Sequence, residues 1–140
     1  MNIREFQSDD TAEVIQLWKD CELTVPWNDP YKDIQRKLAV QPEMFLVGLL
    51  DNRIIASVMT GYDGHRSWIN YLAVYPDHRR NGFGRQIMEE TEKLLYSSGC
   101  PKINLQVRST NESLIAFYRT FGFKTDDLVS PAKHLESDIK

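Results

Sequence analysis

The stretch "YPDHRRNGFGRQIM", residues 75–88, joins a strand-like run to a helix-like run. Arg79, Arg80 and Arg85 crowd around Gly82 and Gly84 at this joint. Upstream, "SWINYLAVY" (67–75) is rich in strand-favouring residues and stops at Pro76. Downstream, Ile87, Met88, Thr91, Leu94 and Leu95 recur at helical spacing, and Gly99 ends that helix. Glycine lets backbone N–H groups come close to a ligand. The start of the following helix adds unpaired donors and partial positive charge. Together they make an anion site, typically for phosphate. On local chemistry a plainer reading also stands, a turn leading into a solvated basic helix start. Two nucleotide motifs are excluded. Gly82-x-Gly84-x-x-Ile87 lacks the third glycine of a dinucleotide fingerprint, and no Gly-Lys-Ser/Thr loop is present.

Working outward, residues 2–6 read as a short strand, and Ser8, Asp9 and Asp10 offer caps to a helix carrying Ala12, Val14, Ile15, Leu17 and Trp18. "CELTVPWNDPY" (21–31) reads as a loop, and a helix from Pro30 to about Val40 follows, with proline in its first turn. "MFLVGLL" and "RIIASVMTGY" read as strands joined by a hairpin turn at Asp51-Asn52. After Gly99 come a strand at "KINLQV" (102–107), a helix capped by Thr110 or Asn111 and closed by Gly122, and one more strand at "FKTDDLV" (123–129). The strand-helix alternation of this second half implies a parallel or mixed sheet.

The chain has 140 residues, which suits one domain over residues 1–140. The net charge of -3 and the lack of a wider basic stripe argue against nucleic acid as the main partner. Residues 1–51 hold ten acids against five bases, leaving the rest slightly basic. Cys21 and Cys100 stand alone, in no metal-binding or disulfide spacing, so no metal is expected. The N-terminus lacks a signal-peptide pattern, and the hydrophobic run Met44–Leu50 is too short to span a bilayer. The expectation is a soluble cytoplasmic protein without a membrane partner.

Arg79-x-x-Gly82-x-Gly84 is similar to the Arg/Gln-x-x-Gly-x-Gly/Ala signature of the GNAT superfamily of N-acetyltransferases. "YLAVYPDHRRNGFG" resembles that family's strand and proline corner, and "STNESLIAFYRTFGF" resembles its later Asn-to-Gly-Phe motif. The likeness covers nearly the whole chain, and within the family its overall pattern resembles the ribosomal-protein alanine acetyltransferases. It implies an α/β (α+β) fold with a mixed, mostly antiparallel central sheet. Two parallel strands would splay apart at the cofactor site, and about four helices would flank the sheet. It also implies an enzyme that moves an acetyl group from acetyl-CoA to a primary amine. That amine would belong to a protein N-terminus, a lysine or a small molecule. The backbone of Leu72, Ala73 and Val74 would face the acetyl and pantetheine portion. Arg79, Arg80, Asn81, Gly82, Phe83, Gly84 and Arg85 would wrap the pyrophosphate, Asn111 would hydrogen-bond the cofactor, and Tyr118 would be the general acid.

From the residues alone, Tyr118 reads first as a core aromatic beside Phe117 and Phe121, since aromatic stripes on a helix usually mark the core. The pattern also departs from the family at Gln106, where the ribosomal-protein group places a glutamate base. An amide cannot take that proton, so the base is elsewhere or unnecessary. The candidates are Glu22, Asp29, Glu43, Asp63, His65 or an ordered water. By family analogy the 21–31 loop borders the acceptor, with Trp27 and Tyr31 lining a slot and Glu22 and Asp29 holding an amine. The alternative is a non-catalytic acyl-CoA-binding sensor or interaction module of the same fold. A homodimer is left open.

Overall fold

Alternating apolar residues in the middle of the chain build three long strands, and the rest of the molecule is arranged on them. The structure is a computed structural model that describes residues 1–139. Strands β1 (Asn2–Glu5), β2 (Phe45–Leu50), β3 (Arg53–Tyr62), β4 (Ser67–Val74) and β5 (Ile103–Leu105) form one sheet in that order. The first three pairings are antiparallel, and β4 with β5 is parallel. Asp51 and Asn52 both take left-handed φ values, 50° and 64°, which matches the twist that a two-residue hairpin requires.

Four α-helices cover the sheet. Helices α1 (Thr11–Asp20) and α2 (Pro30–Leu38) precede β2, and α3 (Phe83–Ser97) and α4 (Glu112–Thr120) follow β4 and β5. Two apolar clusters result. Val14, Leu17, Trp18 and Ile34 from the first helix pair are buried with Phe45, Val47 and Ala73 of the sheet. Ile87, Met88, Leu95 and Tyr118 from the second pair are buried with Leu46, Ile55, Val58 and Ile69. The sheet is therefore covered on both faces. Asp29 caps α2 by accepting the N–H groups of Tyr31 and Lys32. Ser8–Asp10 form a short 3-10 turn in which Asp10 accepts the Gln7 N–H as one half of a capping box and pairs with Arg4, and its side chain makes no cap bond to α1.

Two irregularities in β4 matter for function. Its pairing with β5 ends at Ile69–Leu105, so β4 runs on to Val74 without a partner on that edge. Its pairing with β3 slips between Ser57–Ala73 and Met59–Asn70, which puts a bulge at Tyr71–Leu72. Tyr71 sits there at φ 51°, a genuine outlier for an aromatic residue. Its ring stacks on Trp18 at 3.8 Å between centroids. The Trp18 Nε1–H donates to Ser57 Oγ (2.9 Å), and that hydroxyl donates to the Tyr71 carbonyl (2.8 Å).

The C-terminal expectations need correction. The strand at 102–107 is reduced to Ile103–Leu105, and 123–129 forms no strand. The latter carries Lys124, Asp126 and Asp127, its Leu128 and Val129 stay exposed, and Lys102 holds Asp126 by an ion pair (2.9 Å). Without apolar alternation on one face, the segment has little to bury against β5.

Ser57→Ala should leave the buried Trp18 N–H without an acceptor and free the Tyr71 carbonyl, costing about 1–3 kcal/mol. Urea unfolding of the two proteins checks this, and equal midpoints would contradict the role given to Ser57.

Candidate functional site

The unpaired edge of β4 leads directly into the arginine-glycine joint. The Tyr75 N–H donates to the Ile55 carbonyl (2.7 Å), and the register pairs Ala73 with Ser57. Ala73 and Tyr75 therefore direct their backbone donors toward β3. By the alternation of a strand, Leu72 and Val74 direct theirs to the open edge. Of the three residues expected there, two present their N–H groups, and the third is a buried residue turned to its neighbour strand.

Pro76–His78 form a 3-10 turn that carries the chain away from the sheet. Arg80 (φ 66°) and Gly82 (φ 78°) then adopt left-handed conformations, and α3 begins at Phe83. Alternation of this kind turns successive N–H groups inward and makes an anion-binding concavity. The N–H groups of Gly82, Phe83, Gly84 and Arg85 have no acceptor in the described residues, and the first turn of α3 holds no acidic side chain. Nothing lies within 4 Å of where a Gly82 side chain would begin, so the concavity is open there.

Gly84 has a different job. A Cβ at this position would meet Phe117 Cζ at 3.4 Å and Val74 Cγ2 at 3.7 Å. It points into the protein, where β4, α3 and α4 converge, so its small size allows close packing. The arginines also divide. The Arg79 Nε–H donates to the Val74 carbonyl (3.1 Å), tying the loop to the end of β4. The Cys21 thiol donates to the same carbonyl (3.3 Å), and burial pushes its pKa up. Arg85 lies over the Phe121 ring at 4.5 Å, with Glu89 at 3.9 Å. Arg80 and Asn81 are exposed at the turn.

Helix α4 supplies the other expected residues. Asn111 is its N-cap, and its Oδ1 accepts from the Leu114 N–H (3.3 Å) and the Ser113 hydroxyl (3.3 Å). Its Nδ2 is left with two donors to offer. Tyr118 follows two turns later on the same face. It is buried at 7% exposure, edge-on to Phe117 and Phe123 at 5.4 Å. Burial pushes its pKa up to about 12. The hydroxyl has no protein partner, and no buried side-chain nitrogen or oxygen among the described residues is orphaned, so this oxygen reaches solvent. Tyr118 is thus a core aromatic ring with a hydroxyl left free. It also lines a cleft of about 1730 Å³ running between α3, β5, α4 and residues 122–131, which includes Gln106 but not the glycine loop. The Gln106 amide donates to the Ser130 hydroxyl.

On the opposite face, Trp27 and Tyr31 are exposed at 59% and 55%. The Asp29 carboxylate is spent on capping α2, and Asp63 is spent on the N–H groups of His65 and Arg66 in its turn. Sequence reasoning did not single out a polar group beside them. The Tyr71 hydroxyl donates to Asp33 Oδ2 (2.7 Å) and accepts from Asn28 Nδ2 (3.0 Å). These residues are separated by 38 and 43 positions, and no local spacing announces their meeting. No cluster of three or more His, Cys, Asp or Glu suited to a metal, and no helix long and apolar enough to cross a membrane, occurs among the described residues.

The sequence model of the Acetyltransferase (GNAT) family matches residues 11–123. The chain belongs to the GNAT family of acetyltransferases. A relative from Yersinia pestis named acetyltransferase is 47% identical over 138 residues, covering 99% of this chain and 98% of its own length. An acetyltransferase of Pectobacterium atrosepticum is 45% identical over 138 residues, with coverage of 99% and 98%. Among solved structures, the ribosomal-protein-S18-alanine N-acetyltransferase from Escherichia coli superposes with a TM-score of 0.75. It is 23% identical and covers 88% of this chain and 77% of its own. At that identity the likeness concerns the fold. This GNAT chain has the mixed sheet, the parallel pair that parts at one end, and the four helices that the sequence motifs implied.

Gly84→Val should drive its branched side chain into Phe117 and Val74 and part α3 from α4, costing about 1–3 kcal/mol. Gly84→Ala, at the edge of ordinary contact, should cost under about 1.5 kcal/mol. Thermal melting of both variants checks this, and an unaffected Gly84→Val would refute the packing role.

Proposed function

We propose that this GNAT chain is a single acetyltransferase domain that uses acetyl-CoA to acetylate a primary amine. The observation that carries the reading is the continuity of two sets of free backbone donors. Leu72 and Val74 present theirs on the unpaired edge of β4, and Gly82 to Arg85 present theirs in the left-handed turn that follows. Donors that run from a strand edge into a helix start suit an extended thioester that ends in phosphate groups.

The residues fit such a substrate. Gly82, Phe83, Gly84 and Arg85 would bind the pyrophosphate through backbone N–H groups, with the exposed side chains of Arg79, Arg80 and Asn81 around it. Asn111 would donate through its free amide nitrogen. Leu72 or Val74 would hold the thioester carbonyl oxygen as negative charge develops on it. Arg79 already contacts the Val74 carbonyl, so it steadies the turn as well as adding charge.

Tyr118 would meet the departing sulfur. Its pKa of about 12 keeps the phenol protonated throughout the neutral range, so the donor is always loaded. A thiol near ~8.5 is the stronger acid by roughly 3.5 pK units, or about 5 kcal/mol. The hydroxyl therefore acts as a hydrogen-bond donor that stabilises the departing thiolate, which takes its proton from water after expulsion. This argues for a loss on Tyr118→Phe at the lower end of the range for a general acid, about tenfold to a hundredfold.

The acceptor is argued from the missing glutamate. An α-amine near ~7.8 keeps a substantial free-base fraction at neutral pH, whereas a lysine near ~10.4 keeps about one part in a thousand. With Gln106 in place of a base, an N-terminal or small-molecule amine of lowered pKa is favoured. The exposed Trp27 and Tyr31 offer that acceptor an aromatic rim.

Release of the coenzyme A thiol in the presence of a panel of amines, followed with single-turnover kinetics, tests the reading. Wild type should transfer acetyl to at least one amine. Tyr118→Phe should slow single turnover about tenfold to a hundredfold and leave acetyl-CoA affinity within about twofold, a change under ~0.5 kcal/mol. Equal rates would remove Tyr118 from the chemistry. Binding of acetyl-CoA with no transfer to any amine would favour the non-catalytic sensor instead.

A further inference from the structure

The β4–β5 pairing ends at Ile69, Tyr71 lies two residues beyond that point, and Tyr118 lines the cleft that holds β5. Tyr118 belongs to the apolar cluster under α3 and α4, and Tyr71 packs against the cluster under α1 and α2. Tyr71 immediately precedes Leu72, whose N–H faces the open edge. It lies on the side where Asn28 and the exposed Trp27 and Tyr31 stand. Its hydroxyl accepts one hydrogen bond and donates one, which leaves an oxygen lone pair unused.

We propose that Tyr71 and Asp33 form the acceptor-side proton relay of this enzyme, in place of the base that Gln106 cannot supply. The inference rests on the proposed acetyl transfer. The amine nitrogen forms a bond to the thioester carbonyl carbon and becomes cationic. It passes a proton to the Tyr71 oxygen, and the Tyr71 proton moves to Asp33 Oδ2 along the existing 2.7 Å hydrogen bond. The carbonyl then re-forms as the carbon–sulfur bond breaks, and the thiolate leaves hydrogen-bonded to the Tyr118 hydroxyl and takes a proton from water. Asp33 returns its proton to water, which balances the one the thiolate takes up.

The surroundings suit this role. Burial, followed by the adjacent Asp33 carboxylate, pushes the Tyr71 pKa up, so its proton is in place throughout the neutral range. A bare tyrosine would be a poor base for the same reason, and the carboxylate behind it gives the proton a destination. Asn28 Nδ2 also donates to Asp33 Oδ2 (2.6 Å), and the Arg36 guanidinium bonds Oδ1 (3.1 Å), which fixes the carboxylate in line with the phenol. Arg36 is in turn shared with Asp138. Asp33, Arg36 and Asp138 are the charged groups around Tyr71, since α1 and β3 present Trp18 and Ser57 to it.

The test compares wild type, Tyr71→Phe and Asp33→Asn, using the best aliphatic amine of the panel and methoxyamine, whose nitrogen is already neutral at pH 7. Both variants should lose about a hundredfold in kcat with the aliphatic amine, the scale for one general base. The loss should be smaller with methoxyamine, and the pH at half-maximal kcat should move in both variants. Acetyl-CoA affinity should be retained, because the cofactor is held by backbone donors, and both substitutions change only side chains on the α2 side of the sheet. Tyr71→Phe keeps the ring on Trp18. If it nevertheless fails to fold, Asp33→Asn alone decides. Retained kcat and pH profile in a folded variant would overturn the relay, as would an equal loss with both amines together with weakened acetyl-CoA binding. An inactive wild type would instead overturn the acetyl-transfer reading on which the relay stands.

Discussion

Tyr71 holds a left-handed backbone conformation that costs on the order of 1–3 kcal/mol and persists only where its surroundings over-determine it. Four contacts do so: the stack on Trp18, the Ser57 bond to its carbonyl, and hydroxyl bonds to Asp33 and Asn28. The slip it creates sets the phase of the last residues of β4. After it, Ala73 pairs with Ser57, and Leu72 and Val74 turn their donors to the edge that β5 has left. An open edge inside a covered sheet would ordinarily be a liability, because unpaired donors there lose water without gaining a partner. Under the proposed function, such an edge becomes useful when the extended arm of acetyl-CoA takes the missing strand's place.

The same economy explains the joint after β4. Arg80 and Gly82 spend conformational freedom on left-handed φ values, and Gly84 gives up a side chain so that α3 can lie close to α4 and the end of β4. The result is a helix start whose donors point to solvent while its first residues are anchored by Val74 and Phe117. Position and charge are thus handled by different residues. Arg79 ties the turn to β4, Arg85 packs over Phe121, and Arg80 projects freely.

Much of this was legible before any coordinates. The glycine joint, the Asp51-Asn52 hairpin and the helical stripe at Ile87 to Leu95 are local patterns, and local patterns survive folding. The family motif carried Asn111 and Tyr118 for the same reason, since both lie on one helix at fixed spacing. What the sequence hid was long-range. The base candidates Asp29 and Asp63 read as free carboxylates, but their own backbone neighbours occupy them. Asp33 carried no motif, and only a strand bulge brings Tyr71 to it. Residues 123–129 had strand-like content without one-sided alternation, so the sheet had no face on which to hold them.

The central claim is that the edge of β4 and the start of α3 receive one extended ligand. Titration of ¹⁵N-labelled protein with acetyl-CoA, followed through backbone amide resonances, tests it most directly. The amides of Leu72, Val74 and Gly82 to Arg85 should shift together along a single binding curve, whereas Ala73, whose donor is turned to β3, should move far less. Binding that leaves the Gly82 to Arg85 amides unmoved, or that shifts them without Leu72 and Val74, would contradict the account.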